Sequence, residues 1–155
     1  MGKNKKVTLS LVLLGSVWFL YMMLGNKQPR GLRNNNPGNI KVNPQNDWKG
    51  SVGADLPFEI FAAPEWGIRA IGKTLDSYNR RGIDTIHEII TTYAPASDNN
   101  KTDSYIAAVS QQMGVDSRAV LGQGDRVDLV AAIITHENGY NPYSGSFISA
   151  SLSIG

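Results

Sequence analysis

Four apolar stripes at helical spacing, each closed by a glycine or a proline, run between Pro64 and Pro142 and commit this region to packed helices. Pro64 opens the first, in which Ile68, Ile71, Leu75 and Tyr78 share a face up to Gly82. Thr85-Ile86-His87-Glu88 has capping-box form, in which threonine and glutamate satisfy each other's unpaired amides ahead of Ile86, Ile89, Ile90 and Tyr93; Pro95 stops that run. Tyr105, Ile106, Val109 and Met113 follow behind a cap at Thr102 or Asp103 and end at Gly114. The fourth stripe starts from Asp125 and carries Leu129, Val130, Ile133 and Ile134; Gly139 suits the left-handed position after a helix and Pro142 prevents resumption. Val115 to Gly124 reads as a loop or one helical turn, and Tyr143 to Gly155 as a last weak helix or coil.

Glu137 is the next member of the fourth stripe and stands where the helix gives way to a loop. A carboxyl on an apolar face loses hydration, which disfavours its charged form and raises its pKa. An acid of that kind is a competent proton donor near neutral pH, as glycosidic bond cleavage requires. The alternative is structural: Glu137 pairs with an arginine such as Arg33 or Arg69 and closes the core. Arg33 and Arg69 are themselves assigned to protein carbonyls or acids.

Ahead of the helices, Arg30 to Ile40 contains Asn34-Asn35-Asn36-Pro37-Gly38-Asn39. Asparagine side chains compete for backbone groups and proline removes a donor, so this is a turn rich in amide hydrogen-bonding groups. From Ile40 to Phe61, short extended pieces are broken by Asn43-Pro44, Lys49-Gly50, Gly53 and Pro57, consistent with two or three short strands.

The other end of the chain differs in composition. Three lysines lie within Met1 to Lys6, and the next 18 residues, Val7 to Leu24, carry no charge. At about 1.5 Å per residue that run suffices for a bilayer core of about 30 Å, and Trp18 and Tyr21 lie toward its far end, where rings favour the interface. A single-pass anchor follows, contacting the lipid bilayer through residues 7–24, with the basic tip in the cytoplasm and the rest outside. A cleaved signal peptide is the alternative, opposed by the absence of a small-x-small site around Met22 to Asn26.

The chain has no cysteine, so disulfides, thiolate metal sites and lipid attachment drop out and the domain must hold by packing. The formal charge of +2 comes from the lysines of the tip; the remainder is slightly acidic, which argues against nucleic acid as a partner. His87 and His136 are too few for a zinc centre and no HExxH spacing is present, so no metal or cofactor is expected.

Arg30-Gly31-Leu32-Arg33-Asn34-Asn35-Asn36-Pro37-Gly38-Asn39-Ile40, Trp48-Lys49-Gly50, Phe58-Glu59-Ile60-Phe61, Gly67-Ile68-Arg69-Ala70 and His136-Glu137-Asn138-Gly139 with Pro142-Tyr143 together resemble a family of bacteriophage virion proteins. Members are commonly described as structural, some with a lysozyme-like or transglycosylase role. Glu137-Asn138-Gly139-Tyr140-Asn141-Pro142 is also similar to the segment carrying the acid of lytic transglycosylases, and the asparagine segment with Trp48 resembles bacterial glucosaminidases. In the latter the acid precedes the asparagines; here it follows, which implies a circular permutation.

The resemblance over the domain, together with the anchor read from residues 7–24, implies an α+β fold: a mainly helical lysozyme-like domain with a small β region, preceded by one N-terminal transmembrane helix. The divisions are a basic tip at 1–6, an anchor at 7–24, a linker at 25–29 and the domain at 30–155. It implies Glu137 as catalytic acid on peptidoglycan, Asn34, Asn35, Asn36 and Asn39 bonding sugar hydroxyls or N-acetyl groups, and Trp48, Tyr93, Tyr140 and Tyr143 stacking on sugar faces. Each of these asparagines and aromatics has an ordinary alternative as turn or core. A hydrolase needs a second carboxylate, for which Asp47, Asp55 and Glu59 are the candidates; a lytic transglycosylase needs only one acid. The implied setting is a virion-associated, membrane-anchored protein acting at genome delivery or lysis, in contact with capsid or other virion proteins. The alternative is a non-catalytic structural virion protein.

Overall fold

The computed structural model describes residues 28–155. Helix α1 (Arg30–Arg33) leads through the asparagine turn to a hairpin of β1 (Ser51–Asp55) and β2 (Phe58–Phe61). Five helices follow: α2 (Pro64–Asn79), α3 (Ile86–Tyr93), α4 (Thr102–Met113), α5 (Arg126–Asn138) and α6 (Gly145–Leu152). Single 3-10 turns at Ala96–Asp98 and Gln123–Asp125 join the helices on either side.

The sequence signals account for most of these boundaries. Pro64 starts α2, and Thr85 and Glu88 form the reciprocal capping box of α3. Gly139 closes α5 with φ +80°, a conformation in which a Cβ would be strained. Asp125 caps differently from expectation: its carboxylate accepts the Gly122 amide at 2.7 Å instead of bonding into α5. The tail folds as α6, whose cap Ser144 accepts the Phe147 amide. Arg30–Arg33, read as part of a turn, is one helical turn, and it stops where Asn34 to Asn36 begin bonding back to it.

β1 and β2 pair antiparallel with Ser51 opposite Phe61 and Asp55 opposite Phe58, and an irregularity between Ser51 and Gly53. Lys41 adds an isolated bridge to Phe58, so the β region is a hairpin with one attached bridge residue. Helix α5 is the centre of the domain. Val130, Ile133 and Ile134 are completely buried, and the helix packs against α1, α2, α4 and α6. Burial of such side chains is the main stabilising term, and truncating one to alanine costs about 2–5 kcal/mol.

The expected fold, a lysozyme-like domain preceded by a membrane-spanning helix, is corrected to a mixed helical α+β domain with one two-stranded sheet. Among the described residues no helix is long and apolar enough to cross a membrane. The longest, α2, has 16 residues, about 24 Å at 1.5 Å per residue, and carries Glu65, Arg69, Lys73 and Asp76. The tip, the anchor at 7–24 and most of the linker fall on residues 1–27, outside the described residues.

Candidate active site

Glu137 sits in the last turn of α5, and its carboxylate is held from two distant parts of the chain. Asn39 Nδ2 donates to Oε2 at 2.8 Å, and the Tyr105 hydroxyl, from α4, donates to Oε1 at 3.0 Å. Asn39 reaches this position because the turn closes on itself: its amide bonds to Asn36 O, and its own φ is +48°, a left-handed conformation that asparagine tolerates. Burial pushes the Glu137 pKa up, and the hydrogen bonds from Asn39 and Tyr105 oppose it without cancelling it. The acid is therefore fixed in place yet disposed to keep its proton.

The rings around it are equally constrained. His136 stacks on Tyr105 with centroids 3.6 Å apart and planes within 12°, and burial lowers the His136 pKa, favouring the neutral imidazole. The Tyr105 hydroxyl is held well above the usual phenol range by burial and then by the neighbouring Glu137 charge, so it serves as a donor. Tyr93 donates to Gly38 O at 2.5 Å and is likewise pushed well up by burial.

Glu137 opens into a groove of about 690 Å³ between the β hairpin, the asparagine turn and the α3 end. Its walls carry the amides of Asn39, Asn43, Asn46 and Asn100 and the rings of Trp48, Phe58, Tyr78 and Tyr93. The charged lining residues are Arg30, Lys41, Asp98 and Glu137, of which Lys41 and Asp98 form an ion pair. A smaller cavity of about 240 Å³, between Leu75, Ile89 and Leu129, shares no lining residue with this groove.

The structure sorts the sequence-derived candidates. Glu137, Asn39, Trp48 and Tyr93 come together in the groove, across 98 residues in the case of Glu137 and Asn39. Asn34, Asn35 and Asn36 do not line it. Asn34 donates to Asp55, Asn35 to Phe61 O, and the fully buried Asn36 to Ile40 O and Glu59 O. Tyr140 is exposed outside the groove, and Tyr143 stacks on Phe147 of α6. None of Asp47, Asp55 and Glu59 lines the groove: Asp47 is exposed, Asp55 accepts from Asn34, and Glu59 is buried and accepts from Ser51. Arg33 and Arg69 bond to the carbonyls of Gln28 and Ile154, so neither neutralises Glu137.

Several contributors were not foreseen. Tyr105 lies on an apolar stripe, where nothing distinguishes a phenol with a functional hydroxyl from a core ring. Asn138 donates to Pro37 O at 2.7 Å and Ile134 O at 2.9 Å, tying the end of α5 to the turn. Its buried Oδ1 has no hydrogen-bond donor among the described residues and faces Gly31, where a Cβ would lie 2.6 Å from it and 2.9 Å from Asn39 Oδ1. Gly31 thus lets α1 approach both asparagines that frame Glu137. The indole N–H of Trp48 is also buried without an acceptor among the described residues.

The chain is 38% identical over 124 residues to Protein P5 of Pseudoalteromonas phage PM2, an overlap spanning 77% of each protein. This chain belongs to the Protein P5 family. That relative is a bacteriophage protein, in keeping with the resemblance its motifs carry. No protein-family model matches it.

Replacing Tyr105 by phenylalanine removes the donor to Oε1 and leaves Asn39 in place. Because that bond favours the ionised carboxylate, Glu137 should then hold its proton to still higher pH. The loss of stability should be about 1–2 kcal/mol where Glu137 is ionised and smaller where it is protonated, as for a hydrogen bond to a charged group. Thermal unfolding at acid and neutral pH checks this; equal losses at both would mean the hydroxyl does not sense the charge.

Proposed function

We propose that this protein is a virion-associated peptidoglycan-degrading enzyme of the lytic transglycosylase type, acting at genome delivery or lysis, with Glu137 as its acid. Membership in a bacteriophage family supports the virion association. One observation carries the catalytic reading: a carboxyl of raised pKa, gripped by Asn39 and Tyr105, faces a long groove of amides and aromatic rings. Amides match the hydroxyls and acetamido groups of an amino-sugar chain, and ring faces match its pyranose faces.

In this reading Glu137 donates its proton to the glycosidic oxygen and the C1–O bond breaks. The resulting carboxylate then takes the proton of the sugar's own C6 hydroxyl, whose oxygen attacks C1 and closes an anhydro ring. The proton balance closes on Glu137, so no second carboxylate is needed. The groove fits that economy, since its other acid, Asp98, is engaged by Lys41.

A non-catalytic glycan-binding virion protein is the second reading. It is favoured by the fact that both Glu137 oxygens already have protein partners. Digestion of peptidoglycan by the full chain, followed by zymography and mass spectrometry of the products, separates the possibilities. Anhydro-sugar ends are expected; ordinary reducing ends would make it a hydrolase and point to Asp98, and no cleavage by folded protein would favour the second reading.

A further inference from the structure

We infer that Arg30 selects the substrate by taking a carboxylate carried by the glycan, so that the groove prefers a carboxylate-bearing wall glycan to an uncharged N-acetylated chain. This deepens the peptidoglycan reading and rests on it.

The inference starts from charge. Four charged side chains line the groove. Lys41 and Asp98 neutralise each other, and both oxygens of Glu137 are already taken by Asn39 and Tyr105. Among the described residues Arg30 is left as the charge without an ionic partner. It is solvent-exposed, and among the described residues its side chain has neither a carboxylate partner nor a hydrogen-bond acceptor.

The guanidinium is nonetheless not loose. It lies 4.1 Å from the centre of the Phe58 ring, on the β2 side of the groove. A cation over a ring face is held by the ring's quadrupole, a contact that uses none of its N–H donors, and arginine stays charged at every relevant pH. A planar, preorganised fork of donors is suited to a carboxylate, which it engages through two parallel hydrogen bonds. The backbone beneath is equally fixed, because Gly31 lets α1 seat against Asn138 and Asn39.

Wall glycan carries carboxylates from two sources: the lactyl ether of its muramyl sugars when the stem peptide is absent, and the stem peptide itself when present. A chitin-type chain has neither, although it presents the same acetamido groups and ring faces. Amides and aromatics alone would not distinguish these polymers, whereas Arg30 would.

The test uses the full chain carrying Glu137→Gln to stop turnover, with Arg30, Arg30→Gln or Arg30→Lys, and calorimetric titration with three probes. These are chitotetraose, a muramyl tetrasaccharide with free lactyl carboxylates, and a muropeptide with its stem intact. The Arg30 chain should bind at least one carboxylate probe about tenfold more tightly than chitotetraose, the scale of a charge-assisted hydrogen bond. Which probe gains identifies the carboxylate. Arg30→Gln should bring that probe down to the chitotetraose level, Arg30→Lys should retain part of the preference, and chitotetraose affinity should stay within about twofold throughout. Equal binding of charged and uncharged probes, or a preference that survives Arg30→Gln, overturns the inference while leaving glycan binding intact. Failure of all three probes to bind folded protein removes the peptidoglycan reading, and the inference with it.

Discussion

Glu137→Gln should lose wall cleavage by about 10²- to 10⁴-fold, the contribution of a positioned general acid, while folding at least as well as the parent at neutral pH. The amide can occupy the same site: its oxygen accepts from Asn39 and its nitrogen donates to the Tyr105 oxygen, so the frame of the site survives. Stability should improve because burial raises the Glu137 pKa in the folded state. The native protein therefore holds this proton more tightly than the unfolded chain. That contribution is fully present below the ordinary carboxylate pKa and is lost as pH rises through the higher folded value. Glutamine carries no such dependence. The gap between parent and variant should open in the variant's favour from mildly acidic toward neutral pH, as read by urea unfolding at several pH values. The parent's activity should fall over the same interval as Glu137 loses its proton. Cleavage retained by Glu137→Gln would move the acid elsewhere. A folded variant markedly less stable than the parent at neutral pH would make Glu137 a structural anchor.

Much of this site was legible in the sequence, and the division follows physical lines. Local spacing and stop signals carry helix position, so the stripe Leu129 to Ile134, with Gly139 behind it, was enough to place Glu137 at the end of a buried helix. The likeness of the asparagine turn to sugar-binding segments brought Asn39 into view, although not which asparagine would reach the acid. That choice depends on the turn's closure. Asn34 to Asn36 bond into β1, β2 and Ile40, which leaves Asn39 to point the other way. Tyr105, Asn138 and Gly31 were illegible for a different reason. Their roles are long-range pairings between α4, α5 and α1, and no local pattern encodes which core tyrosine carries a working hydroxyl. The Lys41–Asp98 pair joins residues 57 apart on two exposed loops and is equally silent in one sequence.

Asn36→Ala should be among the most destabilising substitutions in the domain, although Asn36 does not line the groove. Asn36 is completely buried. Its Oδ1 accepts the Ile40 amide at 2.8 Å, while its Nδ2 donates to Ile40 O at 2.9 Å and Glu59 O at 3.0 Å. One side chain thus takes the place of a strand partner, joining the turn to β2 where no regular ladder exists. Alanine would leave the Ile40 amide without this acceptor and the Glu59 carbonyl without this donor, in a site that water does not reach. Stranding buried groups costs about 1–3 kcal/mol each, so a loss of about 3 kcal/mol is expected, out of a total of about 5–15 kcal/mol for a domain of this kind. The unfolding midpoint should drop by about 10 °C. Asn36→Asp supplies the control, because its shape is unchanged but a carboxylate oxygen replaces the donor facing two carbonyls. It should be at least as destabilised at neutral pH and should recover partly in acid, where protonation restores one donor. The same turn presents Asn39 to Glu137, so glycan cleavage by the surviving folded fraction should fall as well. A loss below about 1 kcal/mol for Asn36→Ala would mean that the backbone bonds of Asn36 to Gly31 and Asn39 hold the turn by themselves. Asn39 would then owe its position to Glu137 and Gly31, and the order of dependence between turn and acid would be reversed.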